Sequence, residues 1–426
     1  MRRIRTRFQL DNPFRLLRSE RGMALLIAIF AMTLMTFIAV EVSYDTSVDY
    51  VVAAQQVNRI KAYYAAKSGI ELSLLRIMLY KQVMASMGDS LGPNKSMLDP
   101  IWSFPFMWPP SAAGAKLMET DKDLMKDAVA ESLMQAQYVT TISPEGGHLD
   151  INDLGSTVKA LKKSSMDQVL KIFQSEVKNN EAFGRRYSSF NFQELVNNIA
   201  DYIDEDKEGL NGGDEGSGYR ELEEKNMEMP PNRSLRTVDE MHQIAGMKDD
   251  FYNVLAPRVT VFGTKGININ YANRDLLMAL DSSMTDEAVG KIIGRRSDPK
   301  LGGPFQNDQD LYGYIAPYGV NVKAIEESKI PLLYDMEFNF RIVSTGLSAN
   351  VKREITVVTY DFANLAQRLA DLLDKQKQDE SPVNPNEPPP TTPPAATPGQ
   401  TPAPETTKAK VQGAKGRPNV VYWEEN

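Results

Sequence analysis

The chain has 426 residues, of which 42% are hydrophobic and 24% are charged, and its formal net charge is −8. It contains no cysteine, which excludes disulfides, thiolate nucleophiles and cysteine metal sites. Residues 1–22 hold seven arginines against two acidic residues, so the rest of the chain carries −13 and is poorly suited to electrostatic binding of nucleic acid. The length predicts two or three structural units.

The first predicted element is a membrane-spanning helix at residues 23–40. These eighteen residues carry no charge and would form a helix of about 27 Å, close to the thickness of a bilayer core. The arginines before it should stay in the cytoplasm, so the rest of the chain should be exported. We therefore expect a single-pass membrane protein with most of its chain outside the cytoplasm.

The residue that precedes the apolar run is Gly22, and no small-residue cleavage site follows the run. A basic segment that ends in glycine before an apolar helix resembles the prepilin leader of type IV pilins and type II secretion pseudopilins. The resemblance implies that residues 1–22 are a leader, that prepilin peptidase cuts after Gly22, and that Met23 is methylated. The alternative is an ordinary signal anchor with an incidental glycine.

Helical spacing of apolar residues continues to about Met78, which predicts one helix over residues 23–80, roughly 80 Å long. Within it, the segment AYYAAKSGIE at 62–71 is similar to the general secretion pathway protein K family. Most pilins carry a glutamate at the fifth residue of the mature chain. This chain has Ile27 at that position and so lacks the acid, as the K pseudopilins at a filament tip do. The resemblance implies an α+β pseudopilin fold with a long N-terminal transmembrane helix, a small antiparallel sheet and a large inserted α-helical domain.

The remaining units are predicted from periodicity and composition. They are a linker with a helix near 122–134 (81–136), a hairpin as the first part of the sheet (137–154), the inserted α-helical domain with helix–hairpin–helix-like units (155–335), two further strands (336–362) and a helix (363–378). Within the inserted domain, helical periodicity predicts helices at Met166–Glu176, Phe192–Ile203, Val238–Ala245, Asp275–Ala279 and Asp286–Gly294. Ten prolines between Pro382 and Pro404 predict an extended linker over 379–418. Within 419–426, a strand at Val420–Glu425 should return to the sheet, the alternative being a disordered tail.

The segment DYIDEDKEGLNGGDEGSGY at 201–219 is the one part of the sequence that indicates chemistry. Counted from Asp204, its spacing is close to the twelve-residue calcium loop of EF-hands, with Asp206 and Glu208 at the third and fifth positions. Gly209 would occupy the sharp turn and Glu215 the twelfth position. Clustered carboxylates suit a hard cation that takes six to eight oxygen ligands.

The same segment also resembles an acidic motif of the K family, which implies a structural calcium site. Asp201, Asp204, Asp206 and Glu215 correspond to the motif. The aspartate that follows the glutamate in the family is Gly216 here, and Asp214 can replace it by a shift of one residue. The alternative is a solvated acidic turn without metal.

Other signals are weaker. His148 and His242 are too few for a zinc site or a triad, and no nucleophile, P-loop or dinucleotide motif occurs, so we expect no enzyme activity. Two segments, 241–255 and 288–305, suggest helix–hairpin–helix units that could grip DNA phosphates. The acidic charge and the single glycine of the first turn disfavour nucleic-acid binding.

The resemblance therefore implies a minor pseudopilin at the tip of the type II secretion pseudopilus, which initiates assembly and supports protein export across the outer membrane. It also implies a single-pass protein of the cell inner membrane with the bulk of its chain in the periplasm. The inserted domain is too bulky for a regular helical shaft. The resemblance implies as partners the minor pseudopilins I and J, the major pseudopilin, prepilin peptidase, and the secretin or exported cargo above the tip. The alternatives are a minor type IV pilin that primes an external pilus and a membrane-anchored DNA-binding protein.

Overall fold

The computed structural model describes residues 20–110, 127, 129–219, 229–380 and 416–426. The α-helices of this part of the chain are α1 (Glu20–Leu91), α2 (Pro100–Ser103), α3 (Lys159–Asn179), α4 (Glu181–Tyr187), α5 (Phe192–Ile203), α6 (Asp249–Leu255), α7 (Arg274–Met278), α8 (Asp286–Ser297), α9 (Asp308–Ile315), α10 (Val322–Glu327) and α11 (Phe362–Glu380). Its strands are β1 (Phe106–Trp108), β2 (Gln137–Pro144), β3 (Leu149–Asp150), β4 (Val259–Thr260), β5 (Ile267–Asn268), β6 (Leu332–Leu333), β7 (Phe340–Ser348), β8 (Val351–Thr359) and β9 (Val420–Glu425). The predicted α+β class is confirmed.

α1 is a single helix of 72 residues. Its N-terminal part has an 18-residue window with a mean hydropathy of 2.6 and no buried residue, so by length and composition it could cross a membrane. The helix runs past the expected end near Met78 because the chain has no proline between Met78 and Pro93, and proline disrupts a helix interior. The stretch that follows residue 80 is therefore helix first, and not the irregular linker that we expected.

A five-stranded sheet of order β1-β2-β7-β8-β9 packs against the C-terminal half of α1, and every neighbouring pair in it is antiparallel. β7 and β8 form a hairpin in which Ser348 pairs with Val351. β9 pairs with β8, so the strand expected at 420–425 is present in the sheet. β1 was not expected, because its three residues lie among prolines in a stretch without alternation.

The hairpin predicted within 137–154 is wrong. β2 ends in a 3₁₀ turn at Glu145–Gly147, and β3 then pairs in parallel with β4 instead of folding back on β2. Both edges of β2 are already occupied, by β1 and by β7. Alternation in a sequence indicates a strand but does not choose its partner, since pairing is decided by which sheet edges remain free.

Between β3 and β6 the chain forms the inserted α-helical domain, which has its own apolar core. Its central side chains include Val169, Phe173, Leu195, Ile199, Phe251, Leu277 and Ile292. Four of the predicted helices correspond to α3, α5, α7 and α8, whereas the one expected at Val238–Ala245 is a 3₁₀ helix at Val238–Gln243. The predicted helix near 122–134, the leader up to residue 19 and the proline-rich linker lie mostly outside the described residues.

The contact between α1 and the sheet depends on small residues. Ile70, Leu74 and Ile77 of α1 are fully or almost fully buried against the sheet. Above them the helix approaches so closely that a Cβ at Gly346 of β7 would collide with the backbone of Ala62. Glycine at this position therefore sets the distance between helix and sheet.

We predict that Gly346→Ala destabilises the full-length protein in detergent by about 1–3 kcal/mol, because the added methyl group overpacks the contact between α1 and β7. Gly290→Ala is the matched control, since nothing lies within 4 Å of the Cβ that it adds on α8. The control should stabilise by about 0.5–1 kcal/mol, as replacement of an exposed helical glycine does. Chemical denaturation followed by circular dichroism measures both, and equal effects of the two variants would contradict the close contact.

Asp99 joins α1 to the inserted domain. Its carboxylate accepts hydrogen bonds from Tyr80 of α1 (3.4 Å), from Trp102 of α2 (3.3 Å) and from Tyr271 of the inserted domain (3.1 Å to each oxygen). Burial raises the pKa of Asp99 to about 6, although the three donors oppose this shift. The charged form of Asp99 is therefore disfavoured in the folded protein.

This shift predicts a pH-dependent contribution to stability. The pKa of Asp99 is higher in the folded protein than its ordinary value of 3.8, so its contribution is full below about pH 4 and is lost as the pH rises through about 6. The loss amounts to roughly 3 kcal/mol for a shift of this size. Unfolding curves of the wild type and of Asp99→Asn between pH 4 and 7 should diverge in this direction. Parallel pH profiles would contradict the prediction.

Candidate metal centre in the acidic loop

The acidic loop begins where α5 ends. Asn191 caps the N-terminus of α5 by accepting from the backbone N–H of Glu194, and apolar residues on one side of the helix are buried in the domain core. Asp201 lies in the last turn, and Asp204 is the C-terminal cap residue. Both carboxylates therefore stand at the negative end of the helix dipole, where a cation is favoured and an anion is not.

Two glycines return the chain to the helix end. Gly212 and Gly213 have φ angles of 87° and 90°, in the left-handed region that favours glycine. The turn is closed by hydrogen bonds from Gly209 N to Gly213 O (3.1 Å) and from Gly212 N to Gly209 O (2.8 Å). The EF-hand interpretation is wrong in this respect, because the left-handed turn lies at 212–213 and not at Gly209, and a 3₁₀ helix follows at Glu215–Tyr219.

Of the five predicted ligands, the structure brings three together. Asp204, Asp206 and Glu215 each offer a carboxylate oxygen, and these atoms lie within 4.8 Å of one another. Asp201 instead accepts from Leu210 N with both of its oxygens, at 3.2 and 3.1 Å, and so holds the loop against α5. Asp214 is exposed and accepts from Gly216 N at 3.0 Å.

Three buried oxygen atoms around this cluster have no hydrogen-bond donor in the described part of the chain. They are Oδ1 of Asp204, Oε1 of Glu215 and Oδ1 of Asn232. An unsatisfied buried polar atom costs about 1–3 kcal/mol, and native proteins seldom contain one without a reason. A hard cation that binds oxygen would satisfy all three, so the residues fit an ion such as calcium.

The electrostatics of the cluster point the same way. Burial, together with the charge of the neighbouring Asp204, raises the pKa of Glu215 to about 7. Burial likewise raises the pKa of Asp201 to about 6. Lys162 of α3 lies 2.8 Å from Oδ2 of Asp204 and offsets part of the negative charge, while Oδ1 of the same carboxylate stays without a partner.

Asn232 was missed in the sequence. It lies 17 residues beyond Glu215, after the pair Pro230 and Pro231, and it has a left-handed φ of 45°. Asparagine is among the residues that tolerate this conformation, so the segment PPN reads as an ordinary turn. Only its return to the loop in three dimensions brings it beside the carboxylates.

Two arginines in the second helix–hairpin–helix-like segment make contacts inside the protein. The guanidinium of Arg295 donates to both oxygens of Asp310, at 2.7 and 2.9 Å, and lies 4.3 Å from the ring centre of Phe305. Arg296 donates to the carbonyls of Ile269 (2.9 Å) and Ala272 (2.8 Å). These bonds fix the turn between α8 and α9 to the rest of the domain.

Comparisons with known proteins agree with this architecture. Residues 147–264 match the family model described as type II secretion system (T2SS), protein K, and this range contains both the acidic loop and Asn232. A chain in the crystal structure of the GspK-GspI-GspJ complex from the enterotoxigenic Escherichia coli type 2 secretion system has a similar fold, with a TM-score of 0.50 and 18% identity. The match covers 74% of this chain and 95% of that chain. No curated protein sequence matches.

The fold, with a long apolar N-terminal helix and an antiparallel sheet, is similar to that of the chain in this complex. Over residues 147–264 the chain matches the protein K family of type II secretion, and the likeness in fold extends over most of the chain. The resemblance drawn from the sequence is thereby confirmed.

The pairing of Lys162 with Asp204 yields a prediction. Lys162→Met removes the charge but retains most of the apolar stem, so the protein without calcium should be less stable, because Asp204 loses its partner. Calcium affinity should rise several-fold, since the ion no longer shares this carboxylate with an ammonium group. Calorimetric titration of the full-length protein in detergent measures the affinity, and thermal unfolding in chelator measures the stability.

Lys163→Met is the matched control for this variant. Lys163 is the next residue of α3, is exposed and makes no ion pair within the described ranges. The substitution changes the net charge by the same amount and should leave both quantities nearly unchanged. Equal effects of the two variants would show that only net charge matters and would contradict the specific pairing.

Proposed function

We propose that the protein is the minor pseudopilin at the tip of the type II secretion pseudopilus, where it initiates assembly and supports protein export across the outer membrane. The observation that carries the proposal is the protein K family match over an α-helical domain inserted in a pseudopilin sheet. This role is structural and not catalytic. Its mechanism is the association of subunits through helices and domain surfaces.

The exposed surface of α1 supports association with other helices. Between the apolar N-terminal stretch and the part that packs on the sheet, the helix exposes Val48, Val51, Val57 and Ile60. These side chains lie outside the predicted membrane span at 23–40 and have no partner in the described chain. Burial of this surface against the N-terminal helices of neighbouring subunits would stabilise assembly by the hydrophobic effect.

The partners that we propose follow from the comparison. The similar chain belongs to a complex of GspK with GspI and GspJ, so the corresponding minor pseudopilins are the expected partners here. The major pseudopilin would continue the filament below, and the secretin or cargo would lie above. The inserted domain favours the tip, since a shaft subunit would have to fit so large a domain between neighbours.

Processing and location complete the proposal. Prepilin peptidase would cut after Gly22 and methylate Met23, and the domains that follow α1 would lie in the periplasm while the helix is held in the inner membrane. The missing acid at Ile27 is consistent with a subunit that has no predecessor in the filament.

We further propose that the acidic loop binds one structural calcium ion. Asp204, Asp206 and Glu215 would supply its carboxylate oxygens, and Asp201 and Asp214 would shape the loop around it. The ion would neutralise carboxylates that burial makes costly to ionise. An affinity of roughly 10⁻⁴–10⁻³ M, as in extracellular modules, would suffice.

Cells that lack this protein should fail to export type II cargo and should retain it, folded, in the periplasm, and the wild-type gene should restore export. Gly22→Val should not restore export, because a branched residue before the cut blocks the peptidase, and its product should keep Met1. Gly290→Ala is the control and should restore export fully. The wild-type protein should begin with methylated Met23. Normal export without the protein, or an intact Met1 in the assembled wild-type protein, would contradict the proposal.

A further inference from the structure

Asn232 reaches the acidic cluster from outside the acidic loop. Its side-chain nitrogen donates to Oε2 of Glu215 at 3.1 Å and to the backbone carbonyl of Asp206. These two acceptors fix the orientation of the amide, because only the nitrogen of an asparagine side chain can donate to them. The carbonyl oxygen Oδ1 is therefore held at the opposite corner, where it is buried and accepts no hydrogen bond from the described residues.

Donation of hydrogen bonds to Glu215 and Asp206 does not account for the unpaired oxygen of Asn232. A side chain that served only as a donor would lose nothing by leaving its oxygen to water, whereas a buried unpaired carbonyl costs about 1–3 kcal/mol. Two further unpaired oxygens, on Asp204 and Glu215, lie in the same cluster. Both residues are more than nine-tenths buried. Three separate segments thus each present one oxygen without a donor.

We propose that Oδ1 of Asn232 is a neutral ligand of the cation, contributed by the segment that follows Pro230 and Pro231. This inference rests on the proposed calcium site. An amide oxygen adds a ligand without adding charge to three carboxylates that already repel one another. Calcium accepts asparagine oxygens among its six to eight ligands, so Asn232 favours this ion over smaller cations that retain their water.

Asn232 also lies close in sequence to a residue that is hydrogen-bonded beside the paired strands β3 and β4. Three residues beyond Asn232, Leu235 exchanges two hydrogen bonds with the side chain of Asn152, at 2.8 and 3.1 Å. Asn152 follows β3 and also donates to the carbonyl of Val261, which follows β4 (3.3 Å). Calcium bound to Asn232 would therefore order the segment that links the acidic loop to the paired strands β3 and β4.

The experiment is a calorimetric titration of the full-length protein in detergent with calcium chloride, together with thermal unfolding in chelator and in calcium. Asn232→Ala should weaken calcium binding by about tenfold to a hundredfold, the range seen when a metal site loses a supporting group. Asn232→Asp keeps an oxygen in place. It should bind calcium at least as tightly as the wild type, although its melting temperature in chelator should fall because the donor is lost and a charge is added.

Asn307→Ala is the matched control. Asn307 caps α9 by accepting from Asp310 N at 2.9 Å, so its loss should lower the melting temperature without changing calcium affinity. The inference is overturned if both Asn232 variants lower the melting temperature in chelator but bind calcium as the wild type does, since the amide is then only a structural donor. It is also overturned if Asn307→Ala weakens binding as much as Asn232→Ala.

The failure of the proposed site would look different. If the wild-type protein gives no heat with calcium and no rise in melting temperature, the calcium site itself is refuted, and the role of Asn232 falls with it. If the wild type binds and only the role of Asn232 fails, all three variants keep the wild-type affinity. Replacement of calcium by magnesium should reduce the heat for the wild type more than for Asn232→Ala.

Discussion

The close approach of α1 to the sheet is the contact on which the rest of the molecule depends. Gly346 and Ala62 allow the helix to lie directly on β7, and the larger side chains of both elements interlock around this point. Protein interiors are packed as densely as organic crystals. A single methyl group added at this contact would therefore displace the neighbouring side chains between helix and sheet. One helix thereby serves as the core of the sheet at its C-terminal half and as a free apolar rod at its N-terminal half. This N-terminal half has no buried residue in its most apolar stretch, and by length and composition it could cross a membrane.

Charged contacts fix the inserted domain on this base. The carboxylate of Glu145, at the end of β2, accepts two hydrogen bonds from Arg341 of β7, at 3.1 and 2.7 Å, and one from Thr260 of β4. Lys81 of α1 pairs with Asp361 at 3.2 Å, and both side chains are buried. Buried ion pairs add little net stability. Removal of one partner is nevertheless costly, because it leaves the other charge buried without compensation. The hydrogen bond from Thr260 to Glu145 therefore ties the inserted domain to the sheet, and the pair of Lys81 with Asp361 ties α1 to the segment that follows β8.

The elements that the sequence predicted well are those decided by neighbouring residues. α5 was predicted to its end residues, because its apolar spacing and the cap at Asn191 are local signals. The hairpin after β2 was wrong, since whether a strand folds back depends on which edges of the sheet are free. β1 was missed because it is only three residues long and is a strand only through its pairing with β2. The proximity of Asn232 to the acidic loop could not be predicted for a similar reason. It depends on the folding of a turn that lies 17 residues beyond Glu215 back onto the loop.

The carboxylates of the acidic cluster are costly to keep charged when no cation is bound. Asp204 stands at the negative end of α5 and Glu215 in a buried position, and each location alone disfavours a carboxylate charge. Lys162 compensates only one of the two oxygens of Asp204, so the folded loop without an ion carries unsatisfied oxygens on three segments. A cation bound at the proposed site would satisfy these oxygens and would stabilise the folded domain according to the concentration of free ion. With the weak affinity proposed above, calcium would order the loop and the segment after Pro231 only where the ion is abundant, as it is for extracellular modules. The same carboxylates that make the isolated loop unstable would thus restrict a fully ordered domain to the exported protein.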